Sequence, residues 1–342
     1  MSGADYGDLD DHSRFDRPRR RTRPRTKDRP AYDDAETGRV VTVDRGRYTV
    51  HVDDVPPRAV TAMKARALGK GGVVVGDRVR VVGDTSGADG TLARIVTVEP
   101  RQTILRRTAD DTDPVERVLV ANADQLVIVA AVANPEPRRR LIDRALVAAF
   151  DAGLEPVLCV TKVDLASPVA LIEAYRPLGV AAVAATRGSD LAELRARLRD
   201  RVSVFIGHSG VGKSTLVNAL VPGADRATGH VNAVTGRGRH TSTSAIALEL
   251  PGGGWVVDTP GIRSFGLAHV DPAHLILAFD DLSAVTVDCP RGCTHGEAEP
   301  ECALDVAMAD GRVDRARVTS FRLLLASRER ADDDWPAAQP PE

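Results

Sequence analysis

The eight residues Gly207–Ser214, with the sequence GHSGVGKS, constrain the fold of this chain more than any other segment. They match the pattern G-x-x-x-x-G-K-[ST], follow the apolar stretch SVFIG and precede the helical stretch STLVNAL, which is the context that a phosphate-binding loop requires. Glycines let backbone N–H groups wrap the phosphates, and the N-terminus of the following helix adds positive potential. The segment therefore predicts a nucleotide-binding α/β domain.

The side chains of this loop have separate expected roles. Lys213 would reach the β- and γ-phosphates and is the predicted catalytic cation, and the hydroxyl of Ser214 would bind Mg²⁺. The other nucleotide contacts expected from the loop and the start of its helix are Gly207, His208, Ser209, Gly210, Val211, Gly212 and Thr215.

A second motif, Asp258-Thr259-Pro260-Gly261, directly follows the apolar strand GWVV. An aspartate at such a strand end can hold Mg²⁺ through water, and the N–H of Gly261 can reach the γ-phosphate. Alone, DTPG is only a turn sequence. At 44 residues beyond Ser214 it predicts the second switch of a GTPase.

A third motif, Thr161-Lys162-Val163-Asp164, follows the strand PVLCV and resembles the guanine-specificity motif N-K-x-D. Its aspartate accepts hydrogen bonds from the guanine ring N–H and amine, whereas adenine presents an acceptor at the corresponding ring position. Asp164 therefore predicts GTP in preference to ATP. Thr161 replaces the usual Asn, and residues 183–187, where a further base-contacting loop is expected, lack the usual Ser-Ala pair.

The order of the motifs is permuted. Most GTPases have the phosphate loop first, then the switches, then the base motif; here the base motif comes first and DTPG last. From about Val118, apolar strands alternate with amphipathic helices, which predicts a parallel α/β sheet. Because the second switch leads straight into the C-terminal segment, we hypothesise that a change at the γ-phosphate passes directly to that segment.

A first switch is expected in residues 236–243, GRGRHTST. Thr241 is the first choice to complete the Mg²⁺ shell, and the two hydroxyl residues that follow it are alternatives. Many GTPases place a water-positioning Gln directly after DxxG, but Ile262 stands there and cannot orient water. His240 is the candidate replacement; the alternative is a merely solvated loop histidine.

The C-terminal part contains the run Cys289-x₃-Cys293-x-His295-x₆-Cys302. Three thiolates and one imidazole make the closed tetrahedral shell of a structural zinc site; the alternative is a set of reduced, unligated cysteines. Cys159 lies in an expected core strand, where a cysteine serves packing.

The pattern of the chain predicts five parts. Short alternating strands before the α/β region fit a five-stranded oligonucleotide-binding barrel, with a β-domain that has no ligand as the alternative. The parts are a disordered tail at 1–37, the all-β OB-type barrel at 38–108, the permuted P-loop GTPase domain at 109–268, a helical zinc-binding domain at 269–328 and an acidic Pro-rich tail at 329–342. Within the first tail, residues 17–29 carry eight basic residues, which fit a solvated tail or an arm on nucleic-acid phosphates.

Taken together, these features resemble the circularly permuted GTPases of small-ribosomal-subunit biogenesis, the RsgA (YjeQ) family. The resemblance covers residues 38–327. It is carried by VGDRV in the barrel, by GHSGVGKSTLVN, GRGRHTST and DTPGIRSFGL in the GTPase domain, and by the Cys₃His run with the following CALDVAMADGRVDRARVTSFRLLL.

The resemblance implies a cytoplasmic GTPase that binds the 30S subunit late in its maturation. Hydrolysis would be stimulated by the subunit and would promote release, with GTP and GDP as ligands and the barrel and zinc domain contacting 16S rRNA. A monomer is expected. The longest apolar run, at 126–133, has about eight residues and is too short to span a membrane.

Three other interpretations stay open on the sequence. One is a GTP-gated RNA-binding switch with negligible turnover, in which Ile262 reflects lost catalysis. Another is a permuted GTPase that acts on the large subunit or on tRNA, against which the two flanking domains argue. The third is an unrelated ATPase, against which Asp164 argues.

Overall fold

The protein is described from a computed structural model that covers residues 32–53, 56–69, 72–107, 116–224, 245–259, 267, 270 and 272–327. The first part is a five-stranded barrel whose strands are β1 (Glu36–Asp44), β2 (Arg47–Val52), β3 (Arg58–Lys64), β4 (Arg78–Gly83) and β5 (Ala93–Val98). The strands pair in the order β1-β2-β3-β5-β4, and β4 pairs back to β1, which closes the barrel. Its interior is filled mainly by valines on alternate positions, such as Val50, Val60 and Val79.

Strand β1 is buried on both faces. Successive side chains of a strand point to opposite faces, and Val40 belongs to the barrel core, whereas its neighbour Val41 belongs to the core of the α/β part. The register of β1 against β2 shifts at this point, between Val40 and Thr42, which marks a β-bulge.

A two-stranded hairpin, β6 (Ile104–Arg107) and β7 (Arg117–Ala121), lies between the barrel and the α/β sheet. The end of β7 is hydrogen-bonded to the barrel, since Ala121 N donates to Val75 O over 3.0 Å and Asn122 Nδ2 donates to Gly76 O over 3.1 Å. Gly76 has a φ of 91°, and a Cβ there would lie 2.0 Å from Ala121 O. This contact therefore requires glycine.

The α/β part has six strands in the order β10-β9-β8-β11-β13-β12. They are β8 (Gln125–Ala131), β9 (Glu155–Thr161), β10 (Ala181–Ala185), β11 (Val202–Ile206), β12 (Ile246–Glu249) and β13 (Trp255–Asp258). Five are parallel, as the sequence predicts, but β12 is antiparallel to β13 and pairs on its other side with β1 of the barrel. The barrel and the α/β sheet therefore form one continuous eleven-stranded sheet.

Helices cover both faces of this sheet. The helices are α1 (Arg139–Asp151), α2 (Val169–Tyr175), α3 (Ala192–Leu198), α4 (Lys213–Leu220), α5 (Pro272–Leu275), α6 (Asp280–Val285), α7 (Ala303–Ala309) and α8 (Arg315–Ala326). Alternate residues of β8 enter two different cores, as expected for a strand covered on both faces. The last four helices share the core on the α1 face, where Phe279 contacts Phe150 and Phe321 at ring-centroid distances of 4.9 and 5.4 Å.

Two sequence expectations have clear outcomes here. The fold class is confirmed: an all-β barrel, a P-loop α/β domain with permuted order and a helical C-terminal part that holds the Cys₃His cluster. Cys159 lies on β9 and is fully buried in a hydrophobic core, as predicted. Among the described helices, none is long and apolar enough to cross a membrane.

Candidate functional site

The phosphate loop lies at the carboxyl edge of the parallel sheet, between β11 and α4. Gly210 and Gly212 have φ values of 86° and 92°, a left-handed backbone that L side chains rarely adopt. This conformation turns the chain sharply into α4, whose first residue is Lys213. The loop therefore has the backbone that wraps an anion at a helix N-terminus.

The cleft above this loop has a volume of about 760 Å³, which is within the range of nucleotide-sized sites. It is lined by the phosphate loop, the start of α4, the guanine motif and the loop after β10. The predicted residues that line it are Thr161, Lys162, Asp164, Gly207, His208, Ser209, Gly210, Gly212, Lys213, Ser214 and Thr215. The structure thus brings the phosphate loop and the guanine motif to one cleft, although they are separated along the chain.

Lys213 connects the phosphate loop to the DTPG segment. Its Nζ donates to Asp258 Oδ1 and, over 2.6 Å, to the backbone oxygen of Thr259. Lys213 and Asp258 are both buried, with 8% and 3% of their residue surfaces exposed. Thr259 Oγ1 also donates to Phe205 O over 2.9 Å, which ties this segment to β11. The predicted catalytic lysine and the predicted magnesium aspartate are therefore direct neighbours.

Thr161 takes part in the site through the phosphate loop. Its buried Oγ1 donates to Val211 O over 2.6 Å, so the end of β9 is hydrogen-bonded to the predicted phosphate loop. The next residue, Lys162, has a φ of 57°, and its Nζ donates to Asn134 O. Asp164 is exposed at the cleft. Thr161 thus links the two loops, with its hydroxyl as the donor.

His208, the second residue of the phosphate loop, has only 9% of its surface exposed. Burial lowers its pKa, and the nearby Arg138 and Lys162 lower it further, whereas the backbone of Ser209 opposes the shift. The ring is therefore neutral at neutral pH. It lines a small apolar cavity together with the N-terminal end of α1.

The loop after β10 contributes more than the sequence indicated. Thr186, Arg187, Gly188 and Ser189 line the cleft. Ser189 Oγ fixes the turn, since it accepts from Thr186 N over 3.1 Å and donates to Thr186 O over 2.8 Å. Sequence reasoning gave this loop little weight because the Ser-Ala pair is missing; its position directly after the third strand of a nucleotide-binding sheet was the available signal.

Several predicted residues lie outside the part of the chain that the structure describes. They are His240, Thr241 and the rest of 236–243, together with Gly261 and Ile262. Asp258 and Ser214 remain as described candidates for Mg²⁺, and their carboxylate and hydroxyl oxygens are hard donors of the kind that this ion takes.

The four predicted zinc ligands come together. One donor atom from each of Cys289, Cys293, His295 and Cys302 lies within 4.8 Å of the others, and the three sulfurs lie 3.5 to 3.9 Å from His295 Nδ1. A tetrahedral zinc ion places sulfur and nitrogen ligands about 3.6 Å apart, given its usual bond lengths. The cluster therefore fits a metal ion.

The surroundings of the cluster hold its ligands in place. Arg322 Nε donates to His295 O over 3.1 Å, and the same guanidinium makes two hydrogen bonds to Asp305 on α7. Ala303 N donates to Cys289 Sγ over 3.3 Å. Burial lowers the pKa of His295, so its ring is neutral and can ligate a metal at neutral pH. The arrangement offers four protein donor atoms to one ion.

The fold and the cleft define a P-loop nucleotide-binding protein of the GTPase class, with the base motif before the phosphate loop. Comparison with known families agrees: residues 98–268 match the family described as RsgA GTPase. The small ribosomal subunit biogenesis GTPase RsgA of Pseudomonas aeruginosa is 41% identical over 269 residues, which are 76% of this chain and 77% of that protein.

Two solved structures are similar in fold. YjeQ from Thermotoga maritima is 27% identical with a TM-score of 0.64, covering 87% of this chain and 100% of that one. YloQ, described as a circularly permuted GTPase, is 23% identical with a TM-score of 0.63, covering 88% and 98%. The chain belongs to the RsgA GTPase family. It is a circularly permuted GTP hydrolase, and the predicted family and activity are confirmed.

Proposed function

We propose that this GTPase binds the 30S ribosomal subunit late in its maturation and that GTP hydrolysis promotes its release. The observation that supports this most directly is the cleft that Asp164 shares with the phosphate loop, whose Lys213 contacts Asp258, in a chain that also carries a barrel and a Cys₃His cluster. The Pseudomonas relative is named for small-subunit biogenesis. We place the activity in the cytoplasm and expect a monomer.

In this proposal the cleft divides GTP into a base end and a phosphate end. Asp164 accepts hydrogen bonds from the guanine ring, while the backbone of Gly207–Gly212 donates to the phosphates. Lys213 leaves Asp258 for the phosphates, where its charge offsets the charge that develops in hydrolysis. The contact between Lys213 and Asp258 keeps both groups close to where they act.

Mg²⁺ would supply positive charge at the β- and γ-phosphate oxygens when bound. Ser214 would hold it through its hydroxyl and Asp258 through water, with Thr241 as the proposed third group. Gly261 is the proposed N–H donor to the γ-phosphate, and His240 is the proposed residue that orients the attacking water.

The two flanking parts are proposed to bind 16S rRNA. In the barrel, the exposed faces of an OB-type fold offer a surface for nucleic acid. In the C-terminal part, one zinc ion would hold Cys289, Cys293, His295 and Cys302 and so fix the loop before α7. Because α5 to α8 share a core with α1, an RNA contact there acts on the same domain that holds the nucleotide.

Sedimentation with purified subunits tests the partner. The protein is mixed with 30S or 50S particles in the presence of GDP or a non-hydrolysable GTP analogue. The proposal expects co-sedimentation with 30S alone and more of it with the analogue than with GDP. Equal recovery with both subunits, or none with 30S in either nucleotide state, would contradict it.

A further inference from the structure

One row of residues crosses the sheet from the barrel to the nucleotide site. Ile246 of β12 pairs with Thr42 of the barrel strand β1 on one side and with Asp258 of β13 on the other. Asp258 in turn pairs with Phe205 of β11, the strand that leads into the phosphate loop. A single residue thus separates the barrel backbone from the carboxylate that contacts Lys213.

The other end of the β12–β13 hairpin is also held by the barrel. The rings of Trp255, the first residue of β13, and His51 lie at an interplanar angle of 75° with their centroids 5.0 Å apart. The Arg39 guanidinium lies 5.9 Å from the centroid of the Trp255 ring. His51 Nε2 lies 3.4 Å from Glu249 Oε2, and Glu249 is the strand partner of Trp255. Both ends of the hairpin therefore contact barrel residues.

Strand β1 itself is packed into both parts. Because Val40 fills the barrel while Val41 enters the α/β core, any rotation of β1 relative to the α/β sheet disturbs two cores at once. Close-packed cores resist such changes. The barrel is thus a rigid neighbour of the β12–β13 hairpin rather than a module on a free linker.

We propose that the barrel is a positioning element for the metal-binding end of the GTPase site, and that it acts on Asp258 through the β12–β13 hairpin. Arg39, Val41 and His51 are the positioning residues; none of them lines the nucleotide cleft. The inference rests on the proposed role of Asp258 toward Mg²⁺.

The reason is geometric. Asp258 ends β13, and its carboxylate serves Mg²⁺ only from a narrow range of positions, since this ion demands near-ideal octahedral geometry. The strand is hydrogen-bonded on one side to β11 and on the other to β12, which rests on β1. Removing the side-chain contacts of Arg39 and His51 weakens the support of the hairpin and allows the Asp258 carboxylate a wider range of positions.

The test measures release of a fluorescent GDP analogue in excess Mg²⁺ and in EDTA. The release rate in EDTA divided by the release rate in Mg²⁺ reports how strongly Mg²⁺ holds the nucleotide, without any hydrolysis. The test variant carries Arg39→Ala together with His51→Ala. Met63→Ala changes a half-exposed barrel residue on β3 and is the matched control. A third variant, His51→Phe, keeps an aromatic edge against Trp255.

The inference expects the ratio to fall about twofold to thirtyfold in the double variant, with the EDTA rate unchanged. Met63→Ala should match the wild type, and His51→Phe should retain most of the ratio. An unchanged ratio in a folded double variant overturns the inference. So does an equal rise of both rates, because the barrel would then support the fold and not the carboxylate. If Mg²⁺ fails to slow release even in the wild type, the proposed role of Asp258 itself is wrong.

Trp255 gives an independent readout. The chain has two tryptophans, and Trp335→Phe leaves Trp255 as the sole one. Adding Mg²⁺ to the GDP-bound protein should change the emission of Trp255, and the change should shrink in the Arg39→Ala, His51→Ala background. If Mg²⁺ does not change the emission of Trp255, a link between Asp258 and the barrel is contradicted. This result does not depend on the stability of the double variant.

Discussion

The hydrogen bond from Thr161 to the phosphate loop gives the sharpest mutational prediction. Thr161→Val replaces the hydroxyl by a methyl group of similar size, so it removes the 2.6 Å contact with Val211 O without opening a cavity. Ala130 O lies at 3.3 Å from the same hydroxyl, and the shorter contact takes its one proton. The variant therefore leaves a carbonyl of the phosphate loop without its donor.

The magnitude follows from the burial of this contact. Thr161 is 6% exposed, and leaving a buried acceptor unpaired costs about 1–3 kcal/mol. Because the contact joins the base loop to the phosphate loop, we expect much of that cost to appear in nucleotide binding. If all of it does, the Kd for GDP rises about 5-fold to 150-fold. Thr161→Ser keeps a hydroxyl and should stay close to the wild type.

The assay is equilibrium binding of fluorescent GDP and GTP analogues, with urea unfolding measured in parallel. The Kd should rise by the same factor for both nucleotides, since the contact supports the loops proposed to bind the base and the α- and β-phosphates, which GDP and GTP share. An unchanged Kd together with a full loss of stability would refute the positioning role, because Thr161 would then support only the fold. A variant that binds GDP normally but GTP weakly would also contradict it.

Three further changes have defined outcomes. Asp164→Asn should shift preference from guanine to xanthine nucleotides in competition binding, since an amide can donate to the xanthine 2-oxo group. Cys302→Ser should abolish binding of one zinc equivalent, measured by metal analysis of the purified protein, whereas Cys159→Ala should retain it. Burial raises the pKa of Asp143 to about 7 in the folded protein. The protonated carboxyl therefore stabilises the fold at low pH, and this stability is lost as the pH rises from the ordinary pKa of an aspartate to about 7. Asp143→Asn should therefore raise the free energy of unfolding more at pH 8 than at pH 5, and equal gains at both values would refute this.

The sequence predicts the parts of the site that depend on local patterns. The phosphate loop, the guanine motif and DTPG each occupy a few consecutive residues after an apolar strand, and the carboxyl ends of neighbouring parallel strands bring such segments together. The four metal ligands are likewise close in the chain. Their donor chemistry and spacing are enough to identify the set, and the structure places all four side by side.

The sequence pattern does not predict contacts between segments that are distant in the chain. Thr42 and Ile246 pair across two domains, and nothing in either stretch marks the partner. The apolar pair Val40-Val41 shows that β1 is buried on both faces, but it does not show that the second face packs on the α/β core or that the register shifts here. The antiparallel β12 was missed for a similar reason: four residues of IALE are too short for a clear period.

The most direct test of the proposed function is GTP hydrolysis by the purified protein alone, with 30S subunits and with 50S subunits. A circularly permuted GTPase that acts on the small subunit should turn over slowly alone, be stimulated by 30S and remain unaffected by 50S. Equal, slow turnover in all three conditions would contradict activation by the small subunit, and stimulation by 50S would move the proposed site of action to the other particle.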